Sequence, residues 1–193
     1  MAELPLTQQA HDALDVVILP GDTVIDATVG NGHDTLFLAR QVQSHGKVYG
    51  FDIQQAALDS CHQRLLENQA QRQVSLFHAG HECMPILIPV ELHQGGIKAA
   101  MFNLGYLPGA DHAISTRTST TLSALDFTMQ ALSVGGMISI LAYTGHSGGN
   151  DECTAVKHYL SSLDKILFRT TVLRPENTNK PPPELIIIRK QVD

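Results

Sequence analysis

Short runs of apolar and β-branched residues alternate with longer stretches whose apolar positions recur at helical spacing. Residues 24–29, 47–53, 74–79, 97–103 and 137–143 each read as a buried strand. Residues 34–43, 55–69, 82–87 and 118–132 lie between them and read as helices. Such alternation predicts a parallel sheet covered on both faces, doubly wound through right-handed crossovers. The tail changes rhythm. A helix is expected at 151–163, after Gly148, Gly149 and Asn150, and then two strands, 165–173 and 184–190, with no helix between them. The linker 174–183 is proline-rich and too short for a crossover helix, so these strands should run antiparallel. Residues 4–19 should form a leading helix packed on the sheet edge. Nothing repeats internally, and residues 1–193 are expected to form one domain.

Strand ends carry the candidate chemistry. The first strand leads into Asp26-Ala27-Thr28-Val29-Gly30-Asn31-Gly32-His33-Asp34-Thr35. Gly30 and Gly32 let the chain turn tightly and approach a ligand. The second strand ends at Asp52, followed by Ile53 and Gln54, where a carboxylate can accept both hydroxyls of a ribose. Thr35 occupies the third glycine position of a dinucleotide fingerprint, which disfavours NAD. The acidic neighbours Asp26 and Asp34 suit a cation better than a pyrophosphate. S-adenosylmethionine, with its sulfonium and ammonium groups, is the cofactor that fits. The plainer alternative makes the glycines a tight turn and Asp34 a helix cap.

The third strand ends in Gly80-His81-Glu82, placed to flank an adenine. His78, His81 and Cys83 have ligand-like spacing, but no fourth ligand is evident and no metal site is expected. The fourth strand runs into Asn103-Leu104-Gly105-Tyr106. The Asn103 side-chain oxygen and the Leu104 carbonyl can hold an amino group for in-line methyl transfer, and Tyr106 can stack on a planar base. The alternative makes Asn103 a turn former and Tyr106 a core residue. Asp111 and His112 are candidate bases for an ammonium acceptor. Arg117 is placed for a phosphate, and the hydroxyl-rich run 115–121 should cap the following helix. His146, in a glycine-rich loop at the same sheet end, is a further base or RNA contact.

Composition narrows the classes. Of 193 residues 43% are hydrophobic, too many for a disordered chain. No run of 18 apolar residues offers a membrane span. Cys61, Cys83 and Cys153 form no CxxC pair and read as reduced thiols of a cytoplasmic protein. A net charge of −6 excludes a broadly basic coat. The acid is concentrated, however: residues 1–100 carry 5 basic and 11 acidic groups, residues 101–193 carry 8 of each. A polyanion would therefore meet the second half, with few phosphate contacts.

The strand pattern, with its closing antiparallel pair, matches the Rossmann-like fold of class I methyltransferases. The segments DATVGNGHDTLFLA, GFDIQ, HAGHE, NLGYLPGADHAIST, GGMISILAYTGHSGG and NKPPPELIIIRK together resemble the putative rRNA methylase (YtqB-like) family, over about 26–190. Its characterised members are tRNA 5-aminomethyl-2-thiouridine methyltransferases of the MnmM type. The resemblance implies S-adenosylmethionine-dependent N-methylation of wobble uridine in a tRNA anticodon stem-loop. It implies a cofactor site of Asp26, Thr28, Gly30, Asn31, Gly32, His33, Asp34, Thr35, Asp52, Ile53, Gln54, Gly80, His81, Glu82, Asn103 and Gly105. Leu104, Tyr106, Arg117 and His146 would hold the acceptor, with Asn103, Tyr106, Asp111 and His146 carrying catalysis. The chain departs from the family pattern at Thr144 and Ser147. The competing readings are an rRNA or small-amine methyltransferase and a non-catalytic cofactor-binding module. A homodimer is one way for so small a chain to complete an RNA groove.

Overall fold

The computed structural model describes residues 4–105, 115–145, 148–175 and 183–192. Seven strands of the described residues form one sheet: β1 (Thr23–Asp26), β2 (Lys47–Asp52), β3 (Val74–His78), β4 (Ile97–Leu104), β5 (Leu132–Ala142), β6 (Phe168–Leu173) and β7 (Glu184–Lys190). Their order is β3-β2-β1-β4-β5-β7-β6. Strands β1 to β5 pair in parallel, whereas β7 pairs antiparallel with both β5 and β6. The two tail strands are thus antiparallel to each other, as the short linker requires. The later strand, β7, lies inside β6.

Among the described residues six α-helices cover the sheet: α1 (Leu6–Asp15), α2 (His33–Val42), α3 (Gln55–Glu67), the single turn α4 (Met84–Leu87), α5 (Thr118–Ala131) and α6 (Gly149–Ser161). Side chains alternate across each strand, so one strand feeds two cores. Val24, Val48, Ala99, Met101, Leu141 and Leu185 pack under α1, α2 and α3. Ile25, Phe51, Ala100, Phe102, Ile140 and Ile186 pack under α4, α5 and α6. The apolar stripe of α1, Leu6, Ala10 and Leu14, lies over the interior strands β5 and β7. The leading helix therefore covers a sheet face and not the expected edge, because three buried positions one turn apart need a surface to close on.

Other departures are local. Strand β1 ends at Asp26, because Ala27–Gly30 turn toward α2, and β6 begins only at Phe168. The chain leaves β1 outward through β2 and β3, then returns to β4 on the other side. That reversal opens a crevice at the carboxyl ends of β1 and β4, the place where doubly wound sheets bind ligands.

Candidate active site

Alternation along β1 and β4 decides which way the polar residues at their ends face. Asp26 continues the Val24 series and Asn103 the Ala99–Met101 series, so both face α2. Asp26 is fully buried. Its carboxylate accepts the Thr28 N–H (3.2 Å) and the Thr35 hydroxyl (2.5 Å). Burial, reinforced by the charge of Asp34, pushes its pKa up to about 7. The Asn103 N–H donates to Thr28 Oγ1 (2.7 Å), tying the end of β4 to the turn after β1. The Asn103 side-chain Nδ2 donates to Asp34 Oδ2 (2.6 Å). The other oxygen of Asp34 lies 2.6 Å from Nε2 of His11 on α1.

The glycine turn is shaped by close packing. Gly30 and Gly32 have φ of +51° and +77°, where glycine alone is unstrained. A Cβ on Gly32 would also lie 2.7 Å from the Cys61 Cα, so this glycine lets α2 start hard against α3. Gly32, not Asp34, holds the N-cap position of α2, and no side chain caps that helix. Asp34 is free for His11 and Asn103 instead, contrary to the helix-cap alternative.

Asp52 closes the other wall. Its two oxygens accept the N–H groups of Gly30 and Gln54, at 2.9 Å each. Each oxygen keeps a lone pair for a further donor, so the carboxylate is oriented without being spent. Ile53 beside it is 54% exposed and offers an apolar face. Asn31 takes the Arg64 Nε on its carbonyl (2.7 Å), while His33 is exposed at the start of α2.

The far side of the crevice is built on a buried carboxylate that the sequence reading overlooked. Glu152, in the first turn of α6, is 2% exposed and accepts the Thr116 hydroxyl (2.6 Å) and the Thr121 hydroxyl (2.7 Å). Gly105 donates its N–H to Thr116 Oγ1 (3.0 Å) and accepts the Thr116 N–H on its carbonyl (2.9 Å). The hydroxyl-rich run thus serves Glu152; Arg117 occupies the N-cap position of α5, without a side-chain cap. The Arg117 side chain is exposed.

His81 is buried with its ring nitrogens 3.3 Å from the Ala27 carbonyl and 3.4 Å from the Thr121 hydroxyl. Burial holds its imidazole below the usual histidine pKa. Both ring nitrogens are thus engaged within the chain. The Leu104 carbonyl already accepts the Tyr143 N–H (3.0 Å), so one of its two lone pairs belongs to the sheet. Gly80 and Glu82 border His81, with the Glu82 carboxylate folded back against Gly80. His78 Nε2 contacts the Ile53 carbonyl (2.9 Å). Among the described residues no three His, Cys, Asp or Glu side chains are grouped to hold a metal ion. Tyr106, Asp111, His112 and His146 lie outside the described residues.

The structure therefore gathers Asp26, Thr28, Gly30, Gly32, Asp34, Thr35, Asp52 and Asn103 around one crevice. It adds His11, Thr116 and Glu152. No described helix is long and apolar enough to cross a membrane.

The chain is similar in sequence and fold to known proteins. The chain is 39% identical over 165 residues to a chloroplastic tRNA (mnm(5)s(2)U34)-methyltransferase of Arabidopsis thaliana, covering 81% of this chain. It spans 59% of that relative's own length. A crystal structure described as a putative rRNA-methylase from Clostridium thermocellum superposes with a TM-score of 0.92 at 38% identity, covering 98% of this chain and 100% of that one. A putative methyltransferase from Streptococcus mutans, solved in complex with SAH, superposes with a TM-score of 0.87 at 35% identity, covering 98% and 99%. The profile of one family, described as Putative rRNA methylase, matches residues 48–189. With most of its length matched, the chain belongs to that family.

Proposed function

We propose that this chain is an S-adenosylmethionine-dependent methyltransferase that methylates the 5-aminomethyl nitrogen of wobble 2-thiouridine in tRNA. One observation carries the reading: the Asn103 amide is anchored through its nitrogen to Asp34, which leaves Oδ1 as its free acceptor at the end of β4. An amine donating to that oxygen is held with its lone pair directed elsewhere, as transfer of an alkyl group requires. The likeness to the Arabidopsis tRNA methyltransferase supports the choice of acceptor, and the SAH-bound relative supports the choice of cofactor.

The donor set fits that cofactor. Asp52, fixed by two backbone N–H groups, retains lone pairs for two ribose hydroxyls. Asp34 supplies negative potential for a cation, and Gly30 and Gly32 bring bare backbone to the crevice. S-adenosylmethionine, when bound, supplies a methyl group on a positively charged sulfur. The chain's own part is positioning: Asp52 fixes the ribose, Asn103 fixes the amine, and the Glu152–Thr116 clasp fixes Gly105 beside it. The exposed Arg117 is available for a phosphate. This reading places the chain in the cytoplasm, with its tRNA.

The test is transfer to tRNA carrying 5-aminomethyl-2-thiouridine, read by mass spectrometry of the digested nucleosides. The expected product is 5-methylaminomethyl-2-thiouridine, and Asn103→Ala should lose turnover while keeping cofactor binding. No product from cofactor-bound protein on that tRNA overturns the acceptor. Methylation of rRNA or of a free amine in its place would reassign it.

A further inference from the structure

The leading helix supplies a polar residue to the crevice, and packing does not explain it. Leu6, Ala10 and Leu14 already make the buried stripe of α1, and His11 stands at its flank. Its ring stacks on Phe37 with centroids 4.0 Å apart and planes within 3° of parallel. Its Nε2 lies 2.6 Å from Asp34 Oδ1. Phe37 and Asp34 sit three residues apart on α2, so stack and hydrogen bond pin the imidazole to one helix face. Resting on the function proposed above, we infer that His11 is a positioning residue for the acceptor, acting through Asp34 on the Asn103 amide.

An ionised carboxylate only accepts hydrogen bonds, so His11 presents Nε2–H and Asn103 presents its NH2. The two donors take one oxygen each, which fixes the plane of the Asp34 carboxylate. With the NH2 so engaged, Oδ1 of Asn103 is the atom turned toward an incoming amine. Without His11 the carboxylate is free to swing, and the amide is free to flip. A flipped amide presents a donor to a donor. A second tie, from the Asn103 N–H to Thr28 Oγ1, holds the backbone and leaves only the side-chain torsion to be set.

Three substitutions separate this role from packing. His11→Phe keeps an aromatic ring to stack on Phe37 but removes the donor. His11→Gln keeps a side-chain N–H that reaches toward Asp34. His11→Ala removes both. With tRNA bearing 5-aminomethyl-2-thiouridine, His11→Phe and His11→Ala should lower kcat about 10- to 100-fold. Their cofactor affinity should fall far less than kcat does. His11→Gln should recover most of the rate.

A second readout needs no turnover. The Asn103 side-chain NH2 resonance, identified by its loss in Asn103→Ala, should move in His11→Phe and return in His11→Gln. A fully active His11→Phe enzyme would overturn the inference, as would an unmoved Asn103 resonance. Inactivity of the parent on that tRNA would overturn the acceptor proposed above, and the resonance would then decide the role of His11 alone.

Discussion

Asp26 makes the protein's stability depend on pH in a direction opposite to most carboxylates. The group is fully buried, and burial together with the charge of Asp34 raises its pKa from 3.8 to about 7. A pKa higher in the folded state means that the folded chain holds the proton more tightly. The associated stability is complete below about pH 4 and is lost as pH climbs toward 7. Between pH 5 and pH 8 the loss from this one group is on the order of 3 kcal/mol, at about 1.4 kcal/mol per unit. Asp26→Asn removes the titration while keeping the geometry: its oxygen can accept the Thr28 N–H, and its NH2 can donate to the Thr35 hydroxyl. The assay is urea unfolding of cofactor-free protein and variant across pH 5 to 8, taken as a difference at each pH. That difference cancels His81, whose depressed pKa withdraws stability as pH falls below 6.5. The variant should gain about 3 kcal/mol on the parent between pH 5 and 8, roughly 1.5 M in midpoint for a slope near 2 kcal/mol/M. A difference that stays flat with pH, or favours the parent at pH 8, would refute the burial argument.

Three further outcomes follow from the same contacts. Gly32→Ala should destabilise by more than about 3 kcal/mol, from a left-handed backbone and a clash with the Cys61 Cα, and Cys61→Ala should not rescue it; denaturation of the single and double variants decides. Glu152→Ala should cost about 2–4 kcal/mol by stranding the buried Thr121 hydroxyl and the half-buried Thr116 hydroxyl, a fall of roughly 4–16 °C in Tm, with Glu152→Gln milder; an unchanged melt would show the clasp to be idle. Cys61 and Cys153 are buried, and burial pushes the Cys61 thiol up to about 11, so alkylation of native protein at pH 8 should mark Cys83 first, as peptide mass mapping would reveal.

The fold was legible because it rests on periodicities that any stretch of chain must obey locally. A buried parallel strand is a short apolar run, and a crossover helix is a longer amphipathic one. The proline-rich linker is too short to hold a further crossover helix. Position relative to the sheet is a different kind of information. The stripe on α1 predicts that something covers it but not which strands do, so the expected sheet edge became the face over β5 and β7. Likewise β7 enters between β5 and β6, a pairing that no local pattern encodes.

The site divides along the same line. Asp26, the two glycines and Asp52 were found because a strand-turn-helix unit fixes their spacing within one stretch of about 30 residues. His11, Thr116 and Glu152 were missed because each reaches the crevice from another element. Glu152 follows Asp151 in the first turn of α6, where a carboxylate ordinarily complements the helix dipole in solvent. Its burial depends on Thr116 and Thr121, 36 and 31 residues away, which the sequence offered as ordinary cap residues. This also changes the meaning of the acidic first half. Asp26, Asp34 and Asp52 do not form an open negative surface, since every one of them is held by donors from the chain itself. The charge is preorganised: Asp34 and Asp52 are oriented before a ligand arrives, so little of a cation's binding energy is spent on reorienting them. A composition figure records how many carboxylates there are. Only their donors determine whether that charge repels a polyanion at the surface or waits, fixed, for a cation in the crevice.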